Sequence, residues 1–144
     1  MSDENPSIMS HVSVGTNDFE KAIKFYDDVL ATVGATRVLD LSEFRAVAYG
    51  KKFPEFWVNE PYDGDKAQAG NGAHFAFMAP SKDAVHAFWE KAIELGAVPD
   101  GEPGGRPQYG EAYYGCFVRD LDGNKIEAMY WDMSLAPDPV SGHA

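Results

Sequence analysis

The chain has 144 residues, 44% of them hydrophobic, which is enough for one compact domain and too few for two ordinary ones. With 12 basic and 23 acidic residues it carries a formal charge of −11, which excludes the basic footprint of a nucleic-acid binder and argues against an anionic membrane surface. A single cysteine, Cys116, excludes an intrachain disulfide and a Cys-based zinc cluster, no run approaches the ~20 apolar residues of a membrane span, and the acidic N-terminus is unlike a signal peptide, so a soluble cytoplasmic domain is expected.

Residues 8–14 alternate as a strand would, with Val12 and Val14 on one face and His11 and Ser13 on the other. Asn17, with Glu20 three residues on, predicts the capping box of a helix. Its apolar stripe runs through Phe19, Ala22, Ile23, Tyr26, Val29, Leu30 and Val33, and Gly34 is placed to end it. Strand-like runs follow at about 36–41, 44–49 and 55–59, and the glycine-bearing stretch 59–72 reads as a linker.

The same order then begins again. Residues 73–78 put Phe75 and Phe77 on one face and His74, Ala76 and Met78 on the other. Ser81 caps a second helix with the stripe Val85, Phe88, Trp89, Ala92, Ile93 and Leu95, ending near Gly96. The Gly/Pro-rich stretch 101–110 reads as a loop, either a lid carrying Arg106 and Tyr109 or a plain connector. Strands are expected at 112–119 and 125–130, joined by a turn with Asp, Gly and Asn.

His11 matches His74 and Phe25-Tyr26 matches Phe88-Trp89, both at an offset of 63 (74 − 11; 88 − 25), while Gly34-Ala35 matches Gly96-Ala97 at 62. The chain therefore reads as a duplicated unit of strand, helix and three strands, an α+β domain. Module one spans about 7–60, module two about 72–131, and 132–144 is a tail. If the helices cover Val12/Val14 and Phe75/Phe77, then His11 and His74 face a common cavity. Glu127, alternating with Ile126 and Ala128, faces it too. Two imidazoles and a carboxylate suit a divalent transition metal with open coordination positions. The plainer alternative is two strand histidines and a solvated glutamate.

With Ser-His-Val-Ser-Val, the helix Ala-Ile-Lys-Phe-Tyr-Asp-Asp-Val-Leu, His74, and the ending Phe-Val-Arg-Asp-Leu-Asp-Gly-Asn-Lys-Ile-Glu-Ala, the chain resembles the vicinal oxygen chelate superfamily over about residues 7–131. That group includes glyoxalase I, extradiol dioxygenases, fosfomycin-modifying enzymes, methylmalonyl-CoA epimerase and bleomycin resistance proteins. Leu121 stands where the family usually has proline. The resemblance implies paired βαβββ modules forming a curved mixed sheet around a metal and ligand cavity. It also implies His11, His74 and Glu127 as ligands of a divalent ion (Zn, Ni, Mn or Fe(II)), a small-molecule substrate and a homodimer.

Glyoxalase I has a fourth ligand, a glutamate on the last strand of the first half. Counting back 70 residues from Glu127 reaches Trp57, which cannot ligate a metal, and Glu55 could substitute only through a register shift. A glyoxalase-related lyase or isomerase is the preferred reading. An extradiol-type dioxygenase and a non-catalytic ligand-sequestering protein of the bleomycin-resistance kind are the alternatives. Glu127 is also a candidate general base. Trp57 and Tyr114 are expected to line the substrate pocket, Tyr114 on condition that Phe117 packs under the helices. Cys116 reads as a small buried hydrophobe and His86 as surface or helix packing; His143 falls in the tail. The negative charge disfavours bulky anionic substrates unless Arg37, Arg45 or Arg106 offsets it locally.

Overall fold

The computed structural model describes residues 5–136. Strand β1 (Val12–Gly15) leads into helix α1 (Phe19–Ala31), whose cap is Asp18 and not Asn17: the Asp18 carboxylate accepts from the Lys21 amide. Asn17 is held elsewhere, exchanging two hydrogen bonds with the Ala67 backbone and giving its own amide to Asp122. Both residue types cap well, so the long-range contacts of Asn17 decide between them. The stripe buries as expected, and Gly34 turns the chain at φ +87°. Strands β2 (Thr36–Leu41), β3 (Ala46–Gly50) and β4 (Phe56–Asn59) complete module one.

Module two repeats the order with β5 (His74–Met78), α2 (Lys82–Glu94, capped by Ser81), β6 (Val98–Gly105), β7 (Tyr113–Arg119) and β8 (Lys125–Trp131). The stretch expected to be a loop from residue 101 begins as strand β6 and becomes a single 3-10 turn at Pro107–Tyr109. An edge position explains it: β6 pairs only with β7, through two register shifts, so its prolines need no partner on the outer side.

Each module folds as a four-stranded mixed sheet, β1-β4-β3-β2 and β5-β8-β7-β6, with β1/β4 and β5/β8 parallel and the other pairs antiparallel. The fold is α+β, two βαβββ modules in sequence. One cluster of buried side chains draws on the helix-covered faces of both. Phe25 of α1 and Phe88 of α2, equivalent in the repeat, are both buried in it, each contributing roughly 1.5–3 kcal/mol of apolar burial. Phe56 of β4 meets Phe75 and Phe77 of β5 at ring distances of 6.1 and 4.9 Å. A polar latch also crosses the modules: the Tyr26 hydroxyl donates to the buried Asp120 carboxylate at 2.5 Å, and Asp120 accepts further bonds from Asn124 and the Asp122 amide. Among the described residues no helix is long and apolar enough to cross a membrane.

Candidate active site

Alternation along β8 sends Ile126 and Ala128 into the core and Glu127 to the opposite, open face of the sheet. The ladder then fixes its neighbours. Ala76 of β5 lies on one side of Glu127 and Phe117 of β7 on the other, with His74 one pleat along β5 on the same face. His74 Nε2 is 3.1 Å from Glu127 Oε1, and the Tyr113 hydroxyl donates to Glu127 Oε2 at 2.5 Å. The carboxylate is only 6% exposed, so both of its oxygens are committed within a nearly closed setting. Burial, and then the bond to Glu127, push the Tyr113 hydroxyl well above its usual range and keep it a donor.

Gly115 makes this possible. A Cβ there would stand 2.3 Å from the Tyr113 hydroxyl and 2.9 Å from the Ala128 carbonyl oxygen; without one, the phenol lies across the strand to reach the carboxylate. Phe117 forms the floor beside His74, at a ring distance of 6.0 Å, with the Arg106 guanidinium 5.7 Å and the Lys125 ammonium 5.0 Å from its centroid.

Of the residues expected to line the site, Tyr114 is displaced. Phe117 does not pack under the helices, so β7 is turned the other way: Tyr114 and Cys116 face α2, and Tyr113 takes the position beside Glu127. Tyr114 meets His86 instead, hydroxyl to Nε2 at 2.6 Å, which makes His86 a helix-packing residue. Cys116 is fully buried with its thiol toward the Val85 carbonyl, and burial raises its pKa to about 11, as suits an inert core position. Tyr113 and Gly115 are the site residues that sequence reasoning missed. His143 lies outside the described residues.

Trp57 sits on the open face of the module-one sheet. It faces Ser13 across the parallel ladder and Ala48 across the antiparallel one, as Glu127 faces Ala76 and Phe117. The ladder therefore puts Trp57 in the place that Glu127 holds in module two, as the 70-residue offset implies. His11 precedes β1, is exposed, and has its Nδ1 2.9 Å from the Ser10 hydroxyl. Among the described residues of one chain, no three His, Cys, Asp or Glu side chains are grouped to hold a metal. The donor chemistry of His74 and Glu127 suits a divalent ion in kind, but among the described residues a single chain brings only those two together.

Residues 8–128 match the glyoxalase/bleomycin resistance protein/dioxygenase superfamily. The chain belongs to that superfamily. A glyoxalase/bleomycin resistance protein from Albidiferax ferrireducens T118 is 36% identical, over 86% of this chain and 98% of its own, with a TM-score of 0.75. A lactoylglutathione lyase from Agrobacterium tumefaciens is 24% identical (88% and 96% covered, TM-score 0.60). A fosfomycin resistance protein from Listeria monocytogenes is 18% identical (89% and 96% covered, TM-score 0.63). These last two share the fold. No protein of curated function matches the chain by sequence. Within the superfamily, the open face of module two is where this chain concentrates its ionisable side chains around a buried carboxylate.

Proposed function

We propose that this protein is a metal-dependent enzyme of the superfamily, a glyoxalase-related lyase or isomerase acting on a small oxygenated substrate. The observation that carries the reading is the buried Glu127 carboxylate, with His74 at 3.1 Å and its second oxygen occupied by Tyr113. Because the described residues of one chain group only two donors, His11 of a second copy is the third, and the working unit is a homodimer. A divalent ion held by two imidazoles and one carboxylate supplies Lewis-acid stabilisation of an oxyanion on the substrate. Glu127 becomes the proton acceptor when it lets go of the ion, Tyr113 holds its far oxygen, and Phe117 with Arg106 shapes the floor. Trp57, in the place of a second carboxylate, supplies an apolar wall and no base, which turns the reading away from a two-carboxylate lactoylglutathione lyase. His86 faces the other side of β7, so it offers a dioxygenase no extra acid or base at this face.

Metal analysis of protein purified without added metal tests the reading, together with subunit mixing. His11→Ala and His74→Ala chains should each bind little metal. Unfolded and refolded together, they should regain about a quarter of the wild-type sites, because half of the dimers then carry one intact shared site. No regain on mixing would sink the shared site. Wild type that takes up none of zinc, nickel, manganese or iron(II) when each is added in excess would sink the enzyme reading and favour a binding protein.

A further inference from the structure

The glycine-rich strand β6 pairs with β7 through two register shifts, between Pro99 and Gly101 and between Gly101 and Gly104, where β2, the outer strand of module one, has a single shift. The distortion serves one side chain. Past the second shift the chain folds back on itself, and the half-buried Arg106 donates to the backbone carbonyls of Glu102, Gly104 and Gly105. Gly101 leaves room for it: a Cβ there would stand 3.2 Å from Arg106 Nη2 and 3.0 Å from the Phe117 ring. Gly101 is the ladder partner of Phe117, and Phe117 of Glu127. The bulged strand thus sets the guanidinium 5.7 Å from the Phe117 centroid, on the face that carries the carboxylate.

This cation has no acid of its own to meet. Arg37 pairs with Asp27 and Asp40, Arg45 with Glu20 and Glu60, and Arg119 with Asp100. Among the described residues no carboxylate pairs with Arg106: Glu102 meets it through its backbone carbonyl, and Glu127 has its two oxygens engaged by His74 and Tyr113. Carbonyl dipoles hold a guanidinium in place without cancelling its charge. Three hydrogen bonds leave at least two of its five N–H groups without an acceptor, and Nε is one of them. The charge is felt at the site, since Arg106 opposes the burial and the Glu127 contact that raise the Tyr113 hydroxyl pKa. A second cation, Lys125, lies 5.0 Å from the same Phe117 centroid and 3.7 Å from Asp100. On a chain of −11, the open face of module two therefore keeps a positive charge that none of its own acids neutralises.

We propose, resting on the reading of the Glu127 face as the active site, that Arg106 sets its substrate class. The uncommitted N–H groups of Arg106 receive a carboxylate of the substrate, which is then a small organic acid and not a neutral carbonyl compound. Two uncommitted donors suit a planar, two-oxygen head, and a guanidinium fork pairs with a carboxylate through parallel charge-assisted bonds. Phe117, with the His74 ring 6.0 Å from its centroid, offers the apolar surface on which the body of the acid lies. Arg37 and Arg45, the other arginines placed to offset the negative charge for an anionic substrate, are neutralised by their own acids, which leaves Arg106 as the selector.

Benzoate and benzamide, alike in shape and different in charge, test the assignment by isothermal titration into the full chain after metal has been stripped with chelator. Wild type should bind benzoate roughly tenfold more tightly than benzamide. Arg106→Gln should bring benzoate down to the benzamide level and leave benzamide unchanged. Wild-type protein labelled in its arginine nitrogens for NMR needs no variant. Benzoate should shift the Arg106 Nε–H signal and leave in place those of Arg37 and Arg119, which already donate to carboxylates. Undetectable benzoate binding, equal affinity for the two ligands, or an Arg106 signal that stays where it is overturns the proposal. So does an Arg106→Gln chain that loses its dimer in sedimentation and keeps its affinity for benzoate, because an acid of the second copy then occupies the guanidinium. Metal uptake by the same preparations reads the enzyme proposal separately. A chain that takes up no metal and still selects benzoate through Arg106 keeps the anion site and loses only the enzyme reading.

Discussion

Tyr113→Phe and Tyr114→Phe remove one oxygen each from adjacent residues, yet they should have very different consequences. The Tyr113 hydroxyl donates at 2.5 Å to a carboxylate that is 6% exposed, whereas the Tyr114 hydroxyl meets an exposed His86 at 2.6 Å, where water can replace it. A hydrogen bond to a charged acceptor contributes roughly 1.5–3 kcal/mol, and leaving a buried carboxylate oxygen unpaired puts the loss in the upper half of that range. At this chain length the cost corresponds to a fall in Tm of roughly 5–10 °C. Tyr114→Phe should cost under about 0.5 kcal/mol, as surface changes do. Differential scanning calorimetry of the two variants at pH 7 makes the comparison. Gly115→Ala adds a check, since its Cβ would displace the Tyr113 hydroxyl, and it should destabilise the wild type more than it destabilises Tyr113→Phe. Equal Tm values for the two phenylalanine variants, or a larger loss at Tyr114, would refute the assignment of β7's faces and the commitment of Glu127 Oε2 with it.

Two further predictions concern the contact between the modules. Asp120→Asn should destabilise by roughly 2–4 kcal/mol although it deletes a buried charge, because four donors converge on the carboxylate and the amide would oppose some of them; urea denaturation showing no loss would contradict the latch. Tyr26→Phe should alter the alkaline limb of stability. Burial first, and Asp120 second, raise the Tyr26 pKa in the folded chain, so its contribution is complete below about pH 10, the unfolded value, and is lost as pH rises above it. The variant should therefore be less stable at pH 7 and decline less steeply in alkali, by about 1.4 kcal/mol per pH unit; parallel curves from pH 10 upward would contradict it.

Much of the architecture was legible because two periods and a repeat point the same way. The α1 and α2 stripes, the Ser81 cap and the face shared by His74 and Glu127 follow from spacing alone. What escaped turned on single residues. Phe117 drew the reading of β7 onto the wrong face because a phenylalanine is ordinarily a core residue. The small apolar pair Cys116 and Val118, matching Ile126 and Ala128 across the ladder, was the signal that could have corrected it. The glycines and prolines of β6 read as a loop since nothing local marks an edge strand. Residues 8–11 alternate like a strand but lie outside one: carried backward, the β1–β4 register sets Pro54, which has no N–H, opposite Ser10, and the ladder starts at Val12. His11 therefore enters no ladder, and β1 and β5 belong to separate sheets, so the repeat that groups His11 with His74 on paper does not bring them together in one chain.

The duplication is most informative where its halves differ. The ladder equates Trp57 with Glu127 and Ala46 with Gly115; β3 begins at Ala46, after a left-handed Arg45, so no strand residue of module one stands in the place of Tyr113. Module two thus has a carboxylate, its hydroxyl donor and the gap through which the donor reaches it, and module one has apolar side chains in place of the carboxylate and the gap and no strand residue in place of the donor. A carboxylate restored alone, by Trp57→Glu, would lack both donor and gap. It should cost roughly 1–3 kcal/mol as a half-buried group without a partner and add little turnover of the hemithioacetal of methylglyoxal and a thiol. Trp57→Glu with Ala46→Gly opens the gap and still supplies no donor, so it should recover neither stability nor turnover. Stopped assays of both variants beside the wild type, with calorimetry on the same samples, decide the matter. If the double variant regains stability or outpaces the single one, a carboxylate here needs no hydroxyl donor, and the Tyr113 contact is not what sets module two apart.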